Sequence, residues 1–175
     1  MVKCLSFIYG GKHIMRNKIT EKLFDLAYTD SMTETHNRNA YEEQLKKLRR
    51  DNANLKSITV VVIDINGLKE INDCFGHHTG DEAIKTVADI LKDTIGKKAD
   101  VYRIGGDEFV CISESNPFPY IAQFRDTVSF VNRDKMYKLS VSVGYATFND
   151  KYNKTIDNLI KYADIQMYKD KKKQE

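Results

Sequence analysis

Apolar residues recur along this chain with two different periods, and the switching between those periods predicts its elements. In residues 13–28, Ile19, Leu23, Leu26 and Ala27 fall near helical spacing. In the segment 38-RNAYEEQLKKLRRDNANL-55, Tyr41, Leu45, Leu48 and Leu55 do the same beneath a heavily charged outer face. The run 58-ITVVVIDI-65 is β-branched and unbroken, the pattern of a strand covered on both faces, and it carries an acid, Asp64, near its end. A short helix is expected over residues 67–76 and a longer one over 81–95, where Ile84, Val87, Ala88, Leu91 and Ile95 form one stripe. Two strands, 100–104 and 108–113, flank a Gly-Gly turn and must pair as an antiparallel hairpin. A helix over 118–132 follows two prolines, residues 138–148 alternate like a strand with one wet side, and a helix over 155–171 closes the chain. Its apolar positions are Ile156, Leu159, Ile160, Ala163 and Met167.

The order α-α-β-α-α-β-β-α-β-α interleaves helices with strands yet contains a hairpin. It predicts an α/β (α+β) sandwich, in which a mixed, largely antiparallel sheet is flanked by helices. The 175 residues suit one such domain with a real core.

Composition narrows the partners. Twenty-eight basic against 25 acidic residues leave a net charge of +3, too weak a field for a duplex nucleic-acid binder. The one marked basic run, KDKKKQE at the C-terminus, reads as a solvated, frayed helix end. Three cysteines, Cys4, Cys74 and Cys111, have no ligand-like spacing; Cys74 and Cys111 lie in apolar contexts and are expected in the core, as in a reducing compartment. The opening MVKCLSFIYGGKH lacks a signal-peptide pattern, and no window approaches the roughly 20 apolar residues that span a bilayer. A soluble, cytoplasmic protein is expected.

Two acidic sites stand out against this background. Asp64 lies near the end of the buried strand, and Asp107 and Glu108 lie at the turn in 102-YRIGGDEFVCI-112. If those strands are neighbours, Asp64 and Asp107 face each other, and carboxylates that close repel unless a cation sits between them. So few hard oxygen ligands suit Mg²⁺, which keeps its waters and takes further ligands from phosphates. Gly105 and Gly106 permit close backbone approach by a bulky ligand. In 64-DINGLKEINDCFGHHTGD-81, Lys69 offers a cation to phosphate, and Asn72 and Asp81 offer hydrogen bonds to a base edge. Spacing alone leaves solvated turns and caps as the competing reading.

The two segments DINGLKEINDCFGHHTGDEAI and RIGGDEFV together resemble the GGDEF domain of diguanylate cyclases, which condense two GTP into cyclic di-GMP. The likeness runs from about Asp30 to Lys173. It implies a fold like the nucleotidyl cyclase and polymerase palm. It implies two Mg²⁺ ions, replaceable by Mn²⁺, held by Asp64, Asp107 and the backbone carbonyl of Ile65, with Asp107 also the proton acceptor and Glu108 and Lys69 in supporting catalytic roles. Asn72, His77 and Asp81 match guanine-side contacts, and retention of Asp81 favours GTP over ATP. Gly105 and Gly106 match the turn that admits the phosphates, and Lys69 and Lys171 match cations on the β- and γ-phosphates. Each such domain carries one GTP, so turnover implies a homodimer, commonly driven by an N-terminal sensor. On this reading residues 1–29 are a linker or signalling helix and 30–175 the GGDEF domain.

Three stretches depart from the family's pattern. Where the family has D-x-L-T-G-L-x-N-R, the chain has 30-DSMTETHNR-38, with Glu34-Thr35 in place of Gly-Leu. The product-inhibition motif R-x-x-D is imitated only by Lys97 and Asp100, which implies no tight feedback inhibition. The last helix lacks the usual Gly-Arg after Lys171. These departures keep a second expectation alive: a catalytically weak GTP-binding module that regulates a partner.

Overall fold

Eight residues, TVVVIDIN, form the central strand β1 (Thr59–Asn66), and all but the last are buried. Such burial needs cover on four sides, and the chain provides it. On one edge β1 pairs antiparallel with β3 (Glu108–Ser113), which pairs antiparallel with β2 (Asp100–Arg103); on the other edge it pairs antiparallel with β4 (Ser140–Thr147). The sheet order is β2-β3-β1-β4. A single parallel bridge, His36 to Tyr102, lies along the outer edge of β2, so the sheet is mixed only there. The structure, a computed structural model, describes residues 18–50, 57–132, 136–148 and 155–174. Cys4, Leu55 and the first residues of the helix expected over 13–28 lie outside them.

The two faces of β1 sort the helices. Val61, Ile63 and Ile65 point into a core made with α3 (Leu68–Phe75), α4 (His77–Asp93) and α5 (Phe118–Val131). Val60 and Val62 point the other way, to Leu45 and Leu48 of α2 (Arg38–Arg50) and to Leu159 and Ala163 of α6 (Ile156–Gln174). The period-two register of a strand therefore places Asp64 on the α6 side. A first helix, α1 (Lys18–Tyr28), packs on α2, and no helix among the described residues is long and apolar enough to cross a membrane.

Four expectations need correction. The helix expected over 81–95 begins at His77, because only Gly76, with φ 86°, separates it from α3; Ile95 falls in a 3₁₀ turn, Ile95–Lys97. Strand β4 has no wet side over Val141–Gly144, since α6 covers the face that alternation assigned to solvent. The reason is Gly144: a Cβ there would run into the backbone of α6 at Ala163 and Met167, so helix and strand touch main chain to main chain. Helix α6 runs on to Gln174 and its last turn is bonded to the fold, so it is no frayed end. Cys111 is buried, and burial pushes its thiol pKa up, but Cys74 is exposed on α3.

Candidate active site

The site begins where β1 ends. Asp64 is paired in register with Glu108 at the start of β3, and the Ile65 amide donates to the Asp107 carbonyl at 3.1 Å. The Gly105-Gly106-Asp107 turn therefore folds directly over the end of β1, which brings the main chain of Asp107 to that of Ile65, next to Asp64. The hairpin is closed by the Ile104 amide on the Glu108 carbonyl at 3.0 Å. A Cβ at Gly105 would lie 2.6 Å from the Glu108 carboxylate, so a side chain there would displace the end of Glu108. Gly106 is exposed and open.

Asp64 is 7% exposed, and a carboxylate so buried needs a cation. The cation here is Lys171, whose Nζ donates to Asp64 Oδ1 at 2.7 Å. Lys171 is thus beside the acids, on Asp64 itself. The ammonium occupies one oxygen of the carboxylate that the resemblance gives to metal. Among the described residues no three His, Cys, Asp or Glu side chains cluster to hold a metal. A metal here would take carboxylates and a carbonyl and complete its shell with water and phosphate, a donor set that fits Mg²⁺.

The remaining residues lie along α3 and α4. Gly67, with φ 65°, turns the chain from β1 into α3, and Lys69 is exposed in its first turn. Asn72 faces Gly80 of α4, where a Cβ would overlap its amide oxygen; the missing side chain makes the groove in which that amide lies. Asp81 is half-buried on the next residue, and His77 is exposed at the start of α4, with His78 3.5 Å from Glu82 on its outer side. A cleft of about 420 Å³ opens beside Lys171, lined by Asn66, Gly67, Phe75, Tyr137 and Lys138. Glu70 also borders it.

Sequence reasoning missed the residues that hold these groups in place. Arg103 donates to Asp30 Oδ1 at 3.0 Å and to the Gly106 carbonyl at 2.9 Å, tying the α1–α2 loop to the glycine turn. Asp30 also accepts from the Thr33 amide and hydroxyl. Burial works against its charge, but these hydrogen bonds outweigh it and hold the Asp30 carboxyl below the usual carboxylate range. The loop is further pinned by His36, whose amide and carbonyl bond Val101 and Arg103 of β2. Arg103 stands two residues before the glycines in RIGGDEF, where a basic residue on a short strand was the available signal.

The family profile described as "Diguanylate cyclase, GGDEF domain" matches residues 27–175, nearly the whole described fold. The chain belongs to the GGDEF family. Among curated relatives, the GGDEF domain is 34% identical over 152 residues to the probable diguanylate cyclase DgcI of Escherichia coli, covering 86% of this chain and 32% of that protein. It is 36% identical over 91 residues to diguanylate cyclase DgcS of Shewanella oneidensis, covering 51% of this chain and 31% of that one. The chain thus spans about a third of the length of these relatives. Its fold matches the crystal structure of the coiled coil and GGDEF domain of DgcB from Caulobacter crescentus, solved with c-di-GMP, at a TM-score of 0.74 and 25% identity, over 89% of this chain and 86% of that one.

In the GGDEF domain Glu34 has φ 59°, the left-handed region that glycine adopts freely. The family's glycine at this position thereby has a reason, and the departure seen in sequence keeps the turn: the Glu34 amide donates to the Asp30 carbonyl at 2.9 Å and the Asp30 amide to the Thr35 carbonyl at 2.8 Å.

Proposed function

We propose that this domain is a diguanylate cyclase, acting on GTP at a homodimer in which each subunit presents one nucleotide. The observation that carries this reading is the glycine turn folded over the end of β1, where the Ile65 amide meets the Asp107 carbonyl and Lys171 pairs with Asp64. Asp64, Asp107 and the Ile65 carbonyl would hold Mg²⁺, which supplies Lewis-acid activation of a 3′-hydroxyl and neutralises charge on the reacting phosphate. The chain's own groups do the rest. Gly105 and Gly106 let the α-phosphate approach main chain. Lys171, Lys69 and the amides at the start of α3 draw the β- and γ-phosphates toward the cleft, as cations and a helix N-terminus do. Asn72 and Asp81 face the guanine edge, and a carboxylate at Asp81 accepts from N1–H and N2–H₂, which adenine does not present together.

Each half-reaction forms a 3′-O–P bond, breaks the bond to pyrophosphate, and delivers the hydroxyl proton to Asp107, with Glu108 in support. One domain binds one GTP, so the second hydroxyl must come from a partner subunit. We take residues 30–175 as this unit and the segment before Asp30 as a linker or signalling helix, in a cytoplasmic setting. The weak regulatory module loses its main motive, since the Glu34 turn is intact and its loop is bonded to Arg103.

The test is to incubate the purified protein at high concentration with GTP and Mg²⁺ and identify the product by mass. Cyclic di-GMP formed at a rate rising faster than linearly with protein, and abolished by Asp107→Ala with GTP binding kept, supports the cyclase. GTP binding without product would replace it with the regulatory module.

A further inference from the structure

Lys171 lies in the last turn of α6, a place where helices usually fray. Here the turn is tied down on either side of it. One residue before, Asp170 Oδ2 accepts from Arg125 of α5 at 2.8 Å, from the Val143 amide of β4 at 2.9 Å and from Gln174 at 3.2 Å. Arg125 also donates to the Val143 carbonyl at 3.2 Å, so α5 and β4 share the contact. Three residues after Lys171, Gln174 donates to the Val141 carbonyl and accepts from Asn66, both at 3.2 Å. Asn66 is fixed in turn by Ser142, whose hydroxyl donates to it at 2.7 Å.

Asn66 and Asp64 are two residues apart on β1 and so face the same side. Neighbouring positions of one strand thus receive neighbouring positions of one helix: Asp64 takes Lys171 and Asn66 takes Gln174. We propose that Asp170, Gln174 and Arg125 form a latch that positions Lys171 for the nucleotide's phosphates, making Asp170 and Gln174 positioning residues for GTP binding. The proposal rests on the nucleotide reading of the site around Asp64 and Lys171. Its physical content is preorganisation. A lysine at a frayed end must be ordered when it binds phosphate, whereas a latched one is already held beside Asp64, and that ordering cost is removed.

Gln174 is exposed on its outer side, so Gln174→Ala leaves the core untouched. Asp170→Asn is the second variant, keeping the shape and losing the charge that faces Arg125.

The experiment is a double-mutant cycle in GTP affinity, measured by titration calorimetry with Ca²⁺ in place of Mg²⁺ to suppress turnover. Alongside it, the Lys171 side-chain signals are followed by NMR without nucleotide. Gln174→Ala is expected to weaken GTP binding by about threefold to tenfold, the scale of one hydrogen bond, and to have no effect once Lys171→Ala is present. The Lys171 signals should move to those of a free lysine in Gln174→Ala. Equal GTP affinity in wild type and Gln174→Ala overturns the latch and leaves the nucleotide site standing. An equal loss in the Lys171→Ala background also overturns it, since the effect then bypasses Lys171. Absence of GTP binding by the wild type overturns the nucleotide reading itself, and the Lys171 signals would still report whether the latch holds the side chain.

Discussion

The Arg103 guanidinium donates to the Asp30 carboxylate at 3.0 Å, across 73 residues of chain. Asp30 belongs to the loop after α1 and Arg103 to the strand that enters the glycine turn, so this pair makes the shape of the turn depend on the loop. Its second donation, to the Gly106 carbonyl, completes the path from Asp30 to the residue beside Asp107.

Asp30→Asn should therefore destabilise the fold by about 1–3 kcal/mol at neutral pH, because it strips a mostly buried arginine of its counter-charge. The Asp30 carboxyl is held below its usual range, so its contribution is present above about pH 4 and is lost as pH falls through the folded-state value. Urea denaturation from pH 7 downward checks this: the wild type and the variant should differ most at neutral pH, and the difference should shrink as pH falls below about 4.

Glu34→Gly should stabilise. An L-residue in the left-handed region carries strain of roughly 1 kcal/mol, the side chain is exposed, and its hydrogen bond to the Asp30 carbonyl is a main-chain one that glycine keeps. Part of the gain is offset by glycine's greater freedom in the unfolded chain, leaving a rise in melting temperature of a few degrees at most. A fall in melting temperature would mean that the Glu34 side chain itself holds the loop.

Gly80→Ala tests the groove that holds Asn72. A methyl group there must push the amide aside, and if Asn72 reads the base the variant should lose preference for GTP over ATP while the fold persists. Competition binding with the two nucleotides measures the ratio, and circular dichroism checks the fold.

Gly144→Ala should cost about 1–3 kcal/mol, the usual penalty for overpacking, because the obstructing atoms are backbone and have no rotamer to escape into. The helix must lift from β4, and Lys171 lifts with it, so GTP affinity should fall together with the midpoint of urea unfolding. A change in stability with unchanged affinity would separate the two.

Much of this could be read from the chain. The continuous apolar run of β1, the stripe Ile84–Val87–Leu91 and the Gly-Gly hairpin are local signals with one physical solution each, and they fixed the sheet and the helices around it. Asp64 was legible because a charge inside a strand pattern demands a partner, whereas Asp107, at the turn, took its role only from the resemblance. What stayed hidden was long-range. Nothing in the alternation of 138–148 says that a helix will lie on Gly144, and nothing local says that Arg103 will reach back to Asp30 or that Asp170 will find Arg125. Lys171 was placed on phosphate by resemblance; its seat on Asp64 depends on where the end of α6 is tied.

The position of β1 has a consequence for how the site moves. With a strand on each edge and helices on both faces, its amides are expected to open last, in the same cooperative unit as the core itself. Asp64 therefore rides on the strand expected to exchange most slowly, while its partners arrive from a glycine turn on one side and a helix end on the other. Motion that admits or releases a ligand belongs to those two margins, and the carboxylate at the centre serves as the fixed reference against which they close.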